Sequence, residues 1–287
     1  MRLFDLHCDT VFRANDENST LSDPSFEINI EKARGIEQYD QLCALWIPDE
    51  YRGEDAVRLF QDCLKVYRRD RLFTDTHRMH LSVEGGAVLA GSIENLPLLT
   101  KNHVRALTLT WNGENELGGG AYSEASLSDF GREVVYGLED AHIAVDVSHL
   151  NDLTFRDVMR IAKRPVIATH SNARAVADSP RNLTDDQIKE IISTGGVIGL
   201  TYHNAFLNTD EDKASIGDLL FHADRFLNLG GEDHLCLGSD FDGGVLPRDF
   251  RGLEDMYKVE EMFQKAFSPE ITEKIFYKNA DKFFRNL

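Results

Sequence analysis

The chain has 287 residues, of which 42% are hydrophobic, and this length suits a single α/β barrel with one sizeable core. Its 31 basic and 49 acidic residues give a formal net charge of -18. So acidic a surface repels phosphate backbones and anionic lipids, and we therefore expect neither nucleic acid nor a membrane as a partner. Composition does not decide the oligomeric state, and a homo-oligomer is compatible with it.

The features that bear on cellular location predict the cytoplasm. Met1–Asp9 resembles a strand with polar edges and lacks the basic and apolar regions of a secretory signal. No apolar run approaches the roughly 20 residues that a membrane-spanning helix needs. The scattered cysteines, without CxxC spacing, are typical of free thiols in a reducing compartment. They are Cys8, Cys43, Cys63 and Cys236.

Short apolar runs alternate with helix-like stretches along the whole sequence. Eight runs have strand length and are rich in β-branched or apolar residues. These runs are Leu3–Leu6, Gln41–Ile47, Met79–Val83, Val104–Thr110, His142–Val147, Pro165–Ala168, Gly196–Thr201 and His234–Leu237. The clearest amphipathic helices are Glu54–Arg69, Ser128–Ala141, Leu153–Ala162, Thr184–Ser193 and Ser215–Leu229, and Leu253–Leu287 predicts two more.

Local signals mark two of the predicted helix starts. Thr184 and Gln187 have the spacing of a capping box, and Asp152 or Thr154 is a candidate cap for the helix that follows the fifth strand.

Alternating strands and helices predict parallel βαβ units, and eight such units close into a (β/α)8 TIM barrel. We expect one catalytic barrel domain over residues 1–287.

The alternative architecture is an open, doubly wound sheet. That fold normally carries a glycine-rich nucleotide-binding turn after its first strand. Here the first strand ends in His7-Cys8-Asp9 instead, which favours the closed barrel.

Histidines and carboxylates follow the predicted strands, at the barrel end where active sites form. His7 and Asp9 are two residues apart on the first strand, so their side chains share one face. His149 and His170 follow the fifth and sixth strands. Imidazole nitrogen and carboxylate oxygen suit zinc or manganese, so the set predicts a metal site and a barrel of the metal-dependent hydrolase type.

Two acidic strand ends complete this rim. A second metal needs a bridging anion, and Glu84 can supply it, whereas no lysine that might be carbamylated lies near a suitable strand end. Gly85-Gly86 would allow close backbone approach there. Asp240, at the eighth strand, remains free for proton transfer. Asp242 is the alternative, but its position before two glycines is more typical of a turn former.

With these motifs assembled, the sequence resembles the membrane (renal) dipeptidase family, in its bacterial cytoplasmic type, over nearly the whole chain. The motifs that carry the resemblance are Asp5-Leu6-His7-Cys8-Asp9-Thr10, Val83-Glu84-Gly85-Gly86, Leu107-Thr108-Leu109-Thr110, Asp146-Val147-Ser148-His149, Thr169-His170-Ser171, Arg181-Asn182 and Gly238-Ser239-Asp240-Phe241-Asp242-Gly243.

The resemblance implies a binuclear zinc site that activates a water to attack a dipeptide amide. It implies that His7 and Asp9 bind one ion, that His149 and His170 bind the other, and that Glu84 bridges them. It further implies that Asp240 is the acid/base residue and that Arg181 holds the substrate carboxylate, a role suited to a planar guanidinium.

One position departs from the family pattern. Members of the renal type have a substrate-contacting histidine directly after Leu-Thr-Leu-Thr, and this chain has Trp111. Either another group makes that contact, with His203 a candidate, or metal alone holds the intermediate. Trp111 and Tyr202, which follow the fourth and seventh strands, are further candidates for binding substrate.

The sequence therefore predicts a metal-dependent dipeptidase with two zinc ions, for which manganese is an alternative. A rival hypothesis is another metal-dependent amidohydrolase, acting on N-acyl amino acids, cyclic amides or lactones. A third is a non-catalytic binding module that has kept the barrel, against which the intact ligand set argues. The preferred dipeptide and the tolerance of D-residues stay open.

Overall fold

A computed structural model describes residues 1–70 and 76–287, and within them eight parallel strands form a closed barrel. Each strand pairs with its sequence neighbour, and the pairing of Asp5 with Leu237 joins the first strand to the last. The predicted (β/α)8 barrel is confirmed, and the open-sheet alternative is wrong. The strands are β1 (Arg2–Cys8), β2 (Gln38–Trp46), β3 (His77–Glu84), β4 (Val104–Thr108), β5 (Ala144–Asp146), β6 (Ile167–Ala168), β7 (Val197–Leu200) and β8 (Leu235–Leu237).

Helices surround the barrel and connect its strands. The α-helices are α1 (Thr10–Asp16), α2 (Ile30–Ala33), α3 (Gly53–Arg69), α4 (Pro97–Thr100), α5 (Asp129–Asp140), α6 (Asp152–Ile161), α7 (Asp185–Ser193), α8 (Asn204–Leu207), α9 (Leu219–Asn228), α10 (Met256–Ala266), α11 (Pro269–Glu273) and α12 (Asn279–Asn286). Among the described residues, no helix has the length and apolar character that crossing a membrane requires.

The helix starts follow the side chains that can cap them. Thr184 and Gln187 form the predicted capping box at the start of α7. For α6 the predicted cap was wrong, because Asn151 accepts the backbone N–H of Thr154. The predicted helix Ser215–Leu229 is helical only from Leu219, after a single 3-10 turn at Ile216–Asp218.

The C-terminal helices close the barrel at the end where its strands begin. As predicted, two helical stretches follow residue 253, but the second contains a π-helical segment, Lys274–Lys278, between α11 and α12. Tyr277, Ala280 and Phe283 pack with the strand residue Phe4 in one apolar cluster. A larger cluster fills the space between strands and helices. The C-terminal helices do not cover the opposite end of the barrel, where the strands end.

Candidate metal centre and active site

A cleft of about 220 Å³ lies at the carboxyl ends of the strands. The structure brings the six predicted metal-binding and acid/base side chains together beneath it, and all six residues are buried. They are His7, Asp9, Glu84, His149, His170 and Asp240. The side chains come from the ends of β1, β3, β5, β6 and β8, so barrel closure creates this group.

His7 and Asp9 form the first part of the site. The Nε2 atom of His7 lies 3.2 Å from Oδ2 of Asp9, as their shared strand face predicted. This arrangement requires a break in the alternation of side chains along β1. Leu6 belongs to the cluster inside the barrel, so strict alternation would turn His7 outward. The register with β2 shifts between Asp5 and Cys8, and this irregularity directs both side chains to the barrel mouth.

His149 and His170 form the second part, with their Nε2 atoms 2.8 Å apart. Nδ1 of His149 lies 2.9 Å from the side-chain oxygen of Asn112, so it carries the proton. Nδ1 of His170 lies 2.9 Å from Oγ1 of Thr169, whose own hydrogen is donated to Asp146. Both Nε2 atoms therefore present lone pairs to each other, an arrangement that a cation between them would stabilise.

Glu84 lies between the two parts. Its Oε1 atom is 2.7 Å from Nε2 of His149 and 3.4 Å from Nε2 of His170, while Oε2 is 3.9 Å from Nε2 of His7. The next residue, Gly85, has φ 103°, and a Cβ there would lie 2.8 Å from the carbonyl oxygen of Ile47. The predicted close backbone approach is thus present, and it sets the position of the carboxylate.

The chemistry of this donor set fits divalent metal ions. Oδ1 of Asp9 and Oε1 of Glu84 are buried with no hydrogen-bond partner among the described residues. Burial alone would lower the pKa of His7, but the carboxylates of Asp9 and Glu84 outweigh it and raise the pKa to about 10, which means that their negative charge favours a cation here, either a proton on His7 or a metal ion in its place. Burial lowers the pKa of His149 and of His170 well below the ordinary value, which keeps both imidazoles neutral as metal ligands must be.

Two buried aspartates, to which the sequence analysis gave no role, hold the predicted ligands in place. Asp146 accepts hydrogen bonds from the backbone N–H of Ser148 and of Thr169, each at 3.0 Å, and from Oγ1 of Thr169 at 2.6 Å. Asp5 similarly accepts from the backbone N–H groups of His7 and Ser239. Both stand two residues before a strand-end motif, and this spacing is the signal that could have identified them.

Asp240 lies at the edge of the site in a strained backbone conformation, with φ 67°. Its Oδ1 atom is 3.8 Å from Nε2 of His7, and His7, Asp9 and Asp240 are also close enough to share an ion. Burial raises the pKa of Asp240 well above its usual range, against the opposing charge of His7. A Cβ at Gly243 would lie 2.0 Å from Oδ2 of Asp9, so only glycine fits this turn. Asp242, with φ 64°, lies in the predicted turn.

Arg181 is 4% exposed and lies in the loop between β6 and α7. Its guanidinium lies over the ring of Phe206, a residue of the cleft wall, with Cζ 5.3 Å from the ring centroid. Nε and Nη2 have no hydrogen-bond partner among the described residues. Burial lowers the pKa of Arg181, partly offset by the carboxylates of Glu84 and Asp240.

The three remaining candidates differ in position. Trp111 lines the cleft, with its ring 6.3 Å from that of His149. His203 also lines the cleft, and its ring packs at a tilt against Phe206, with the ring centroids 4.6 Å apart. Tyr202 instead lies in the core, 0% exposed, with its ring packed edge-on against two phenylalanines. The backbone N–H of Tyr202 still donates to the carbonyl oxygen of Ser239 at 3.1 Å, so the extended pairing continues past β7 and the adjacent side chains of Tyr202 and His203 point to opposite sides.

A closed (β/α)8 barrel whose strand ends gather histidines and carboxylates defines the class of metal-dependent hydrolases. Within that class, the chain belongs to the membrane dipeptidase family, peptidase family M19, whose model matches residues 70–286. The match includes Glu84, His149, His170, Arg181 and Asp240, whereas His7 and Asp9 precede it.

Curated relatives are consistent with this family. A protein of Klebsiella pneumoniae, described as uncharacterized and in the pqqA 5' region, is 30% identical over 71% of this chain and 80% of its own length. An uncharacterized dipeptidase of Schizosaccharomyces pombe and dipeptidase tcpJ of Claviceps purpurea are each 32% identical, over 74% and 83% of this chain. The chain spans only about half the length of these two fungal proteins, 50% and 54%.

Solved structures share the fold over almost the whole chain, including β1. A metallo peptidase from Rhodobacter sphaeroides, liganded with a phosphinate mimic of the dipeptide L-Ala-D-Ala, has a TM-score of 0.91 at 24% identity and covers 99% of both chains. An amidohydrolase from Pseudomonas aeruginosa has a TM-score of 0.82 at 20% identity, covering 99% of this chain and 95% of its own.

Proposed function

We propose that this chain hydrolyses the amide bond of dipeptides with two divalent metal ions, zinc or manganese, bound at the strand ends. His7 and Asp9 would hold one ion, His149 and His170 the other, and Glu84 would bridge them. The proposal is supported by the position of Glu84, whose two oxygens face the two histidine groups separately. Bound dications supply Lewis-acid chemistry, which makes water a nucleophile at neutral pH and polarises a carbonyl.

The chain's own residues would position the substrate and move the proton. Asp240 is buried at the edge of the site, with Oδ1 3.8 Å from Nε2 of His7, and from this position a carboxyl group can take up a proton at one step and donate it to the leaving amine at another. His203, in the cleft wall, is the candidate to contact the substrate where the renal-type histidine is replaced by Trp111.

The observation that carries the choice of a dipeptide is the unpaired guanidinium of Arg181. Burying a charged group without partners is costly, so its Nε and Nη2 atoms call for an anionic ligand. A free carboxylate fits the planar fork of a guanidinium. One amide bond away from that carboxylate, the scissile carbonyl would lie among the metal ligands. The dipeptide mimic bound to the Rhodobacter enzyme has the same chemical class.

We further propose that the protein acts in the cytoplasm. All four cysteines are free and buried, which suits a reducing compartment.

The test compares a dipeptide with its C-terminal amide. Wild-type protein, loaded with zinc or manganese, should cleave the free dipeptide with the higher kcat/KM, and Arg181→Ala should abolish that preference. A charged hydrogen-bonded contact is worth about 1.5–3 kcal/mol, or roughly ten- to more than a hundredfold. Arg181→Lys should restore part of the preference, because lysine supplies charge without the fork. Arg160→Ala, an exposed arginine on α6, is the matched control.

Equal rates for the dipeptide and its amide in the wild type would contradict both the role of Arg181 and the dipeptidase proposal. An amidohydrolase acting on N-acyl amino acids, cyclic amides or lactones would then be the better hypothesis, and those substrates would be assayed next.

A further inference from the structure

The only two tryptophans of the sequence lie side by side in the cleft. The rings of Trp46 and Trp111 are 4.8 Å apart, and Phe12 packs edge-on against Trp46 at 4.7 Å. All three side chains are half-buried and line the cleft. We call Phe12, Trp46 and Trp111 the aromatic wall, a continuous apolar surface beside the metal ligands.

The aromatic wall faces the expected position of the substrate carboxylate. Trp46 ends β2, and Arg181 follows β6. In a closed barrel of eight strands, β2 and β6 are four strands apart and therefore lie on opposite sides of the mouth. A dipeptide whose carboxylate binds Arg181 and whose scissile carbonyl lies among the proposed metal ligands would extend its other residue, the N-terminal one, away from β6 and toward β2.

The charges near the wall disfavour an acidic side chain at this place. Asp16 is exposed at the same side of the cleft. Arg13 also lines it, but its guanidinium is already paired with Asp242 at 3.0 Å and with Glu17 at 2.8 Å. The surface thus combines apolar rings with a net negative rim, which suits an ammonium group next to an apolar side chain.

We propose that the aromatic wall binds the side chain of the substrate's N-terminal residue and selects large apolar residues there. This inference rests on the proposed dipeptidase function and adds the substrate class to it. Trp111 then has a specificity role of its own, in place of the polar contact that a histidine would make at that position.

The experiment measures kcat/KM of the metal-loaded protein for X-Ala dipeptides, with X as Gly, Leu, Phe or Asp, and for the reversed Ala-X series. We expect Phe-Ala and Leu-Ala to exceed Gly-Ala by about tenfold or more, and Asp-Ala to be the poorest. Trp46→Leu and Trp111→Leu should each reduce the Phe-Ala to Gly-Ala ratio roughly two- to tenfold. The Ala-Phe to Ala-Gly ratio should not change. Phe221→Leu, an exposed aromatic of α9, is the control and should leave both ratios alone.

Intrinsic fluorescence gives a readout that does not depend on turnover, because both tryptophans belong to the wall. With metal-loaded Asp240→Asn, Phe-Ala should change the emission saturably and with a lower Kd than Gly-Ala. Equal kcat/KM for Phe-Ala and Gly-Ala, or a ratio that survives both tryptophan substitutions, would overturn the inference while leaving the dipeptidase function intact. Failure to cleave any dipeptide would instead overturn the proposed function, on which the inference rests.

Discussion

Two buried carboxyl groups lie within one site but have different surroundings. Glu84 directs its two oxygens at histidine nitrogens on both sides, so its position suits a shared ligand. Asp240 stands at the edge of the group, on a left-handed backbone turn, nearest to His7 at 3.8 Å. The difference in neighbours leads us to expect different consequences when each carboxylate becomes an amide.

Asp240→Asn should keep both metal ions and lose most turnover. An amide cannot take up and return the proton, and general acid/base groups contribute on the order of 10²–10⁴-fold to rate. Glu84→Gln should instead lose at least one ion, since a neutral amide bridges poorly. Elemental analysis beside kcat, for both variants and the wild type, distinguishes the roles. Loss of metal from Asp240→Asn, with activity in proportion to the metal that remains, would make Asp240 a ligand.

For single residues, the sequence predicted which side chains meet at the barrel rim better than it predicted how each side chain is oriented. The strand-end rule was enough to bring His7, Asp9, Glu84, His149, His170 and Asp240 together, because parallel strands in a barrel end at one rim. It could not foresee the shift in β1, which depends on pairing with β2. It also misjudged Tyr202, since the side on which a residue lies after a strand depends on where the strand ends.

Two strands, β1 and β5, each carry a buried aspartate that fixes the backbone next to a residue of the site. Asp5 in β1 bonds the N–H of Ser239, the residue before Asp240, and Asp146 in β5 bonds the N–H of Thr169, the residue before His170. Each aspartate also accepts the N–H two residues further along its own chain segment. The same arrangement therefore ties a strand to its neighbour immediately before a functional side chain, at two places in the barrel.

Asp146→Asn should weaken metal binding about 10- to 100-fold while the barrel still folds. The amide group that replaces one carboxylate oxygen would face hydrogen-bond donors, including Thr108 Oγ1 at 2.5 Å, and would disturb Thr169 and hence His170. Metal affinity by competition with a chelator, together with circular dichroism, is the measurement. Asp140→Asn, at the exposed end of α5, is the control. An unchanged affinity in Asp146→Asn would show that His170 is oriented without this hydrogen-bond network.

Strands and helices could be predicted from the sequence where the apolar run or the helical periodicity extends over enough residues. All eight strands and the main helices follow from apolar runs and helical periodicity within residues 1–70 and 76–287. The π-helical segment Lys274–Lys278 had no counterpart in the sequence pattern, and its Tyr277 packs in the apolar cluster at the barrel end. The start of α9 was placed too early, since a 3-10 turn and an α-helix begin with the same kind of capping residue.

Across the whole molecule, the proposed ions would cross-link strands that are distant in sequence. Their ligands come from β1, β3, β5 and β6, so metal binding would hold the first three quarters of the barrel together. A ligand that binds only the folded state stabilises it in proportion to the logarithm of its concentration over Kd, about 2.7 kcal/mol at a hundredfold excess.

Removing metal with a chelator should therefore lower Tm, by roughly 5–10 °C if 2–4 °C correspond to each kcal/mol. Adding zinc or manganese back should restore it. Because the net charge is -18, surface carboxylates also attract cations, so magnesium at the same ionic strength is the control and should restore little. Identical melting curves for the chelated and the reloaded protein would argue against a metal centre that bridges these strands.

During synthesis, the barrel cannot close until its last strand, β8, has been made. Asp5 and Ser239, which are hydrogen-bonded in the finished barrel, are 234 residues apart. At about 5–20 residues per second, a ribosome needs on the order of ten seconds or more to make the second partner after the first. Throughout that interval β1 lacks its partner β8, so the backbone groups on one edge of this strand stay unpaired. The nascent chain is thus a candidate client for chaperones that shield exposed strands until the eighth one arrives.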